Sequence, residues 1–226
     1  MKKLIFVLFL PLTLIFAQSN EEEKPIDLTG KFALMFQIDQ NFDLNSFQGM
    51  SFAGKYFFSD DWGVRLVFET YYGESDENSS YHQHRSGYYQ NDRDDRDIVS
   101  YKVIPSIMYK FQNNNNFKFY IGAGPFVAYS NNEYAEVMNR SEGETNKINE
   151  RYKNYAIGFT FFTNVEWFVS DNISLSAEYG FEYSYLETEA WNGYFSDDVL
   201  MEERTTNNTK KLFQDLPISL GVSIYF

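Results

Sequence analysis

The sequence predicts an all-β fold, a transmembrane up-and-down antiparallel barrel of eight strands. Three observations predict it: strict apolar/small alternation in segment after segment, short polar turns that alternate with long polar connections, and aromatics sorted to both ends of each segment. Period-two alternation over such lengths is a strand signal, since successive side chains of a strand point to opposite faces.

The first segment, Lys31 to Asp39, sets Phe32, Leu34, Phe36 and Ile38 against Lys31, Ala33, Met35, Gln37 and Asp39. The second sets Met50, Phe52, Tyr56 and Phe58 against Gly49, Ser51, Ala53 and Lys55, and the third sets Trp62, Val64, Leu66, Phe68 and Tyr72 against Gly63, Arg65 and Glu69. The fourth opposes Val99, Tyr101, Val103, Ile107, Tyr109 and Phe111 to Ser100, Lys102, Ser106 and Lys110. In the fifth, Phe117, Phe119, Ile121, Val127 and Tyr129 face away from Lys118, Gly122, Gly124 and Ala128. The sixth places Tyr155, Ile157, Phe159, Phe161, Val165 and Trp167 opposite Ala156, Gly158, Thr160, Asn164 and Glu166. The seventh places Ile173, Leu175, Tyr179, Phe181, Tyr183 and Tyr185 opposite Ser174, Ser176, Glu178, Gly180, Glu182 and Ser184. The last places Leu216, Ile218, Leu220, Val222, Ile224 and Phe226 opposite Asp215, Ser219, Gly221 and Ser223.

Connections at 59–61, 112–116 and 170–172 are tight and polar, whereas those at 74–97, 131–152 and 187–211 are long, with a shorter one near 40–46. Short turns on one side and long loops on the other is the layout of outer-membrane barrels. A soluble sandwich or lipocalin-like barrel also alternates. There the polar face meets water, but here it is mostly Gly, Ala, Ser and Thr with isolated charges, which suits the inside of a narrow barrel. Phe58, Trp62, Tyr109, Phe111, Phe117, Trp167 and Phe226 gather beside the short turns, and Tyr72, Tyr101, Tyr129, Tyr155, Tyr183 and Tyr185 at the opposite ends. Amphipathic rings prefer the two bilayer interfaces.

The leader supports this placement. Lys2 and Lys3, an apolar run from Leu4 to Phe16, and Ala17 read as a secretory signal peptide over 1–17. The run is shorter than the ~20 residues of a helical span and is broken by Pro11. A short periplasmic segment over 18–29 and the barrel over 30–226 complete the expected organisation. The chain has no cysteine, which excludes a disulfide scaffold, and a formal charge of −13 that loss of the leader's lysines makes more negative. Nucleic acid is excluded as a partner, because phosphate binding needs clustered Lys and Arg.

These segments resemble the small eight-stranded outer-membrane barrels of the OmpA/OmpX type, in a form common among Bacteroidetes-like bacteria. The carriers are "YFFSDDWGVRLVFE", "FYIGAGPFVAY", "EWFVSDNISLSAEYGFEY" and the terminal "LGVSIYF". The resemblance implies integral placement in a Gram-negative outer membrane among its lipids and lipopolysaccharide. It implies handling by periplasmic chaperones and the barrel-assembly machinery, with Phe226 as C-terminal assembly signal. It transfers no activity, since this fold hosts many functions.

Chemistry is sparse in the sequence. His82 and His84 lie two apart near Asp92, Asp94, Asp95 and Asp97, but the spacing matches neither a structural zinc site nor a calcium loop, so no metal ligand is assigned. The same histidines, with Ser79, Ser80 and Ser86, are the available groups for acyl transfer, and no nucleophile-elbow turn accompanies them. No catalytic residue and no cofactor is expected. The inward charges Lys55, Arg65, Glu69, Lys102, Glu166, Glu178 and Glu182 are expected to form a network that fills the lumen. The expected role is structural, or interaction at the cell surface with a protein or glycan through the long loops. A narrow porin-like pore and a lipid A-modifying enzyme are the alternatives.

Overall fold

A strand held in lipid has no water to satisfy its backbone, so a sheet there must close on itself. The chain does this. The computed structural model describes residues 26–38, 50–83, 88–114, 116–140 and 145–226. Its strands are β1 (Phe32–Ile38), β2 (Met50–Phe57), β3 (Trp62–Gln83), β4 (Tyr88–Asn114), β5 (Phe117–Arg140), β6 (Thr145–Ser170), β7 (Ile173–Ser196), β8 (Val199–Asp215) and β9 (Ser219–Tyr225). β1 to β7 pair antiparallel in chain order, and β9 lies between β7 and β1. The result is a closed antiparallel barrel of eight staves, of which β8 and β9 together form the last. At the seam, Phe226 N donates to Phe32 O at 2.9 Å and Phe32 N to Phe226 O at 3.4 Å. The C-terminal strand is paired to its final residue.

The eighth stave is broken once. β8 holds the register Phe181↔Asp215 on β7, and β9 resumes at Glu178↔Ser219, so the stave carries one extra residue. Pro217 lies at this bulge and has no N–H to give the ladder. Leu216 still donates to Gly180 O at 2.8 Å. Leu216 therefore shares the lumen-facing register of Leu212 and Gln214, and the expected outward position is corrected. Alternation cannot register a one-residue insertion.

The long connections are also corrected. Residues 74–97, 131–152 and 187–211 are expected as loops but are largely strand. β3 and β4 pair out to Gln83↔Tyr88, β5 and β6 to Asn139↔Thr145, and β7 and β8 to Ser196↔Val199. The last hairpin turns on Asp197 and Asp198, whose φ values of 48° and 61° are the left-handed pair of a tight two-residue turn. Above the bilayer both faces of a strand meet water, so polar residues occupy both and the period-two signal disappears. The shorter connection near 40–46 and the expected signal peptide lie outside the described residues.

β2 pairs with β3 no further up than Met50↔Thr70. Among the described residues the sheet continues above that height as β3 to β8. There the edge of β3 away from β4 and the edge of β8 away from β7 have no ladder partner among the described residues.

The outer wall is the apolar face throughout: Leu66, Ile157 and Phe161 are 56%, 60% and 54% exposed, while their inward neighbours Arg65, Ala156 and Phe162 are buried or half-buried. A continuous apolar outer belt is the wall that a transmembrane barrel presents to lipid. Inside, two apolar clusters pack. Phe57, Met108, Tyr120, Phe162, Phe168 and Tyr225 fill the end nearest the short turns, and Met35, Ala53, Val67, Ile104 and Phe126 fill the middle.

Candidate functional site: the filled lumen

Period two sends alternate residues of every stave inward, and eight staves leave room only for those side chains. Charges on opposite staves therefore meet. Lys55 of β2 donates from Nζ to Glu166 Oε1 of β6 at 3.2 Å and to Ser223 Oγ of β9 at 3.1 Å. The same carboxylate oxygen accepts from Ser174 Oγ and, at 2.8 Å, from the Tyr225 hydroxyl. Lys55 and Glu166 are 2% and 0% exposed.

Next to this pair, Arg65 of β3 holds Glu178 of β7 with both terminal guanidinium nitrogens, Nη2 to Oε1 at 3.1 Å. Asn164 Nδ2 adds a third bond to that carboxylate at 3.2 Å. The guanidinium lies over the Phe162 ring, 3.8 Å from its centroid. This stack requires Gly122 beneath it, because a Cβ there would overlap the Phe162 ring. A planar cation between a carboxylate fork and an aromatic face is a favourable arrangement for arginine and a poor one for lysine.

A second charged level lies above the middle apolar cluster. Lys102 of β4 binds Glu182 of β7 and lies 3.6 Å from Glu69 of β3, with its Nζ 4.7 Å from the Phe126 ring centroid. One lysine between two glutamates leaves this level negative. The lower level, two cations against two carboxylates, balances.

The end nearest the short turns is closed by the segment before β1. Leu28, 1% exposed, inserts among Phe57, Tyr120, Phe168 and Tyr225. The chain reverses there, with Lys31 N donating to Leu28 O at 2.9 Å and Gly30 N to Phe57 O at 2.7 Å. Gly30 has φ 77°, a left-handed value that a side chain would strain. Thr29 N donates to Asp27 Oδ1 at 2.8 Å, and Thr29 Oγ1 donates to Asp60 Oδ1 at 2.8 Å in the β2–β3 turn. The Thr29 amide is the main reason the Asp27 carboxyl is held down to about 2. Lys118 Nζ donates to the Ile26 carbonyl, tying this floor to β5.

The seven charges expected to form a lumen network thus sit inward and meet at two levels. Sequence reading placed Lys118, Ser174 and Ser223 on the inward face without joining them to the network, and left out Tyr120 and Tyr225. Their signal was present, since each shares strand parity with an inward charge or glycine. Tyr225 is hidden because it stands between Ile224 and Phe226 in an unbroken apolar run. Of the groups considered for metal or acyl-transfer chemistry, His84 and Ser86 lie outside the described residues, as do the side chains of Ser79, Ser80, His82, Asp92 and Asp94. Asp95 and Asp97 stand on the outer face of β4. Among the described residues no three His, Cys, Asp or Glu side chains gather as a metal site.

No protein-family model matches the chain. A comparison with curated proteins likewise finds no match. Solved structures similar in fold are small outer-membrane barrels of the type the sequence resembles. CarO of Acinetobacter baumannii matches with 12% identity over 92% of this chain and 100% of that one, at a TM-score of 0.44. OprG of Pseudomonas aeruginosa matches with 14% identity over 88% and 97%, at 0.44. Ail, the attachment invasion locus protein of Yersinia pestis, matches with 15% identity over 88% and 99%, at 0.38.

Proposed function

We propose that this chain is an integral outer-membrane barrel with a closed lumen, which holds a rigid β-extension above the cell surface for interaction and carries out no catalysis. The observation that carries the reading is the continuous filling of the lumen. The Leu28 floor, the Lys55–Glu166 and Arg65–Glu178 level, the Met35–Phe126 cluster and the Glu69–Lys102–Glu182 level succeed one another along the axis. An ion crossing this series would have to separate buried pairs and displace Leu28. The apolar outer wall and its aromatic rims support membrane placement. The asymmetry between short turns and long hairpins supports an orientation with the hairpins outside and both termini in the periplasm. The long hairpins, being paired strands, present fixed side-chain rows. Such a surface suits a protein or glycan partner, with lipopolysaccharide as the neighbour at the wall.

Planar-bilayer recording tests the closed lumen. Purified wild-type protein is expected to give no steady single-channel current, and large steady currents would replace this reading with a pore. Lipid A profiles from cells with and without the gene are expected to be identical, and an altered acylation pattern would make the protein an enzyme.

A further inference from the structure

The outer wall carries a concave polar patch just above its upper ring of tyrosines. The cross-strand register defines it. Tyr101, Tyr129 and Tyr155 stand side by side on β4, β5 and β6, with Tyr129 and Tyr155 ring centroids 5.2 Å apart. Four residues further up, one row reads Asp97, Glu133, Arg151 and Trp191 across β4 to β7. The next outward row reads Asp95, Ala135, Asn149 and Gly193. Asp95, Ala135 and Asn149 have short side chains, so the wall dips there, while the Trp191 indole leans over Gly193 and closes that side; a cavity of about 570 Å³ results. Arg151 Nε donates to Glu133 Oε1 at 2.8 Å on its lower rim, with the Trp191 indole next in the row.

Height and chemistry together select an occupant. Asn149 is six residues above Tyr155, or ~20 Å along a strand at about 3.3 Å per residue. At a tilt of about 40° this is roughly 15 Å along the membrane normal. Phospholipid headgroups extend only about 5–7 Å beyond the hydrocarbon. The dip is thus beyond their reach, yet it opens sideways over the lipid. A saccharide carried on an outer-leaflet glycolipid extends to that height. Five carboxylates line the site against Lys147, Arg151 and Lys153, a negative balance that disfavours a bare phosphate. Planar carboxylate, amide and guanidinium groups beside an indole suit the hydroxyls and the apolar face of a sugar ring.

We infer that this dip binds the saccharide headgroup of an outer-leaflet glycolipid. The assignment rests on the outer-membrane reading above. The test uses protein carrying Trp62→Phe and Trp167→Phe, which leaves Trp191 as its sole tryptophan, in phosphatidylcholine nanodiscs. The probe is the deacylated saccharide released from the glycolipid of the host's outer membrane, with maltose as control. A saturable change in Trp191 emission is expected with the probe and not with maltose. Ala135→Leu, which fills the dip, and Arg151→Ala are each expected to weaken binding at least tenfold. No response from inserted, folded protein would overturn the site, and an equal response to maltose would overturn the glycolipid assignment. Failure to insert into nanodiscs at all would overturn the membrane reading, and the site with it.

Discussion

Replacing Glu166 by alanine is expected to be the most damaging single change in the lumen. Glu166 Oε1 accepts from Lys55, Ser174 and Tyr225 at once, and all four residues are buried. Without the carboxylate, Lys55 keeps one neutral partner, Ser223 Oγ. Breaking a buried pair by removing one member costs ~3–5 kcal/mol, and each hydroxyl left without its acceptor adds about 1 kcal/mol. Lys55→Ala is milder, because Glu166 then retains two hydroxyl donors, and ~3 kcal/mol is expected. The double variant leaves no stranded charge, so its loss should fall well short of the sum, with a coupling of ~2 kcal/mol. Urea unfolding in lipid vesicles, followed by tryptophan emission and by heat-modifiable gel migration, reads these differences. With a slope of about 2 kcal/mol per molar urea, Glu166→Ala should shift the midpoint by about 3 M. A Glu166→Ala midpoint equal to wild type, or a double variant as unstable as the sum of the singles, would refute the reasoning.

Deleting Phe226 removes both backbone bonds that finish the β1–β9 seam, worth about 1 kcal/mol each. Surface levels should drop several-fold in a fractionation assay, and unchanged levels would contradict the role given to this residue. Pro105 and Pro125 occupy facing positions on β4 and β5, where the ladder lapses between Val103↔Val127 and Ile107↔Ala123. Pro125→Ala restores one donor there. The bond gained, about 1 kcal/mol, is offset by the ~0.4–1 kcal/mol of chain entropy that proline had removed, so stability barely changes. The amide gained at position 125 should nevertheless exchange slowly in deuterium-exchange measurements, and fast exchange would show that the gap has another cause. Asp27 has its pKa lowered from 3.8 to about 2, so its bond from the Thr29 amide contributes fully above pH 3.8 and is lost as pH falls through about 2. An NMR titration of the carboxyl with a midpoint near the ordinary value of 3.8 would show that the turn does not form.

Within the bilayer, the fold was legible because two solvents impose one rule. Lipid outside and a tight interior inside leave each position a single acceptable chemistry, so Phe32, Leu34 and Phe36 announce their face and Lys55 and Arg65 announce theirs. Parity also placed the seven charges inward. Parity says nothing about height, however, and strand tilt decides which charges meet across the lumen; Lys102 stands beside Glu69 by cross-strand register but meets Glu182 of β7 for that reason. Above the bilayer the rule lapses, and paired strands such as Ser130–Arg140 look like loop. The Leu28 floor was illegible for a different reason. A lone leucine ahead of a turn carries no periodicity, and its burial depends on Phe57, Tyr120 and Phe168, which come from three distant strands.

Among the described residues the upper sheet is open at β3 and at β8, and this constrains how copies of this chain could associate. In one membrane all copies point the same way, so a two-fold axis along the membrane normal would bring two β8 edges together running parallel. Antiparallel pairing would instead need the β3 edge of one copy against the β8 edge of the next. Such a contact is heterologous and extends into an open row with no natural end. The charges along β8, Glu202, Glu203, Arg204, Lys210 and Lys211, stand where they oppose that growth. In these terms the β8 edge disfavours edge-to-edge growth from one copy onto the next.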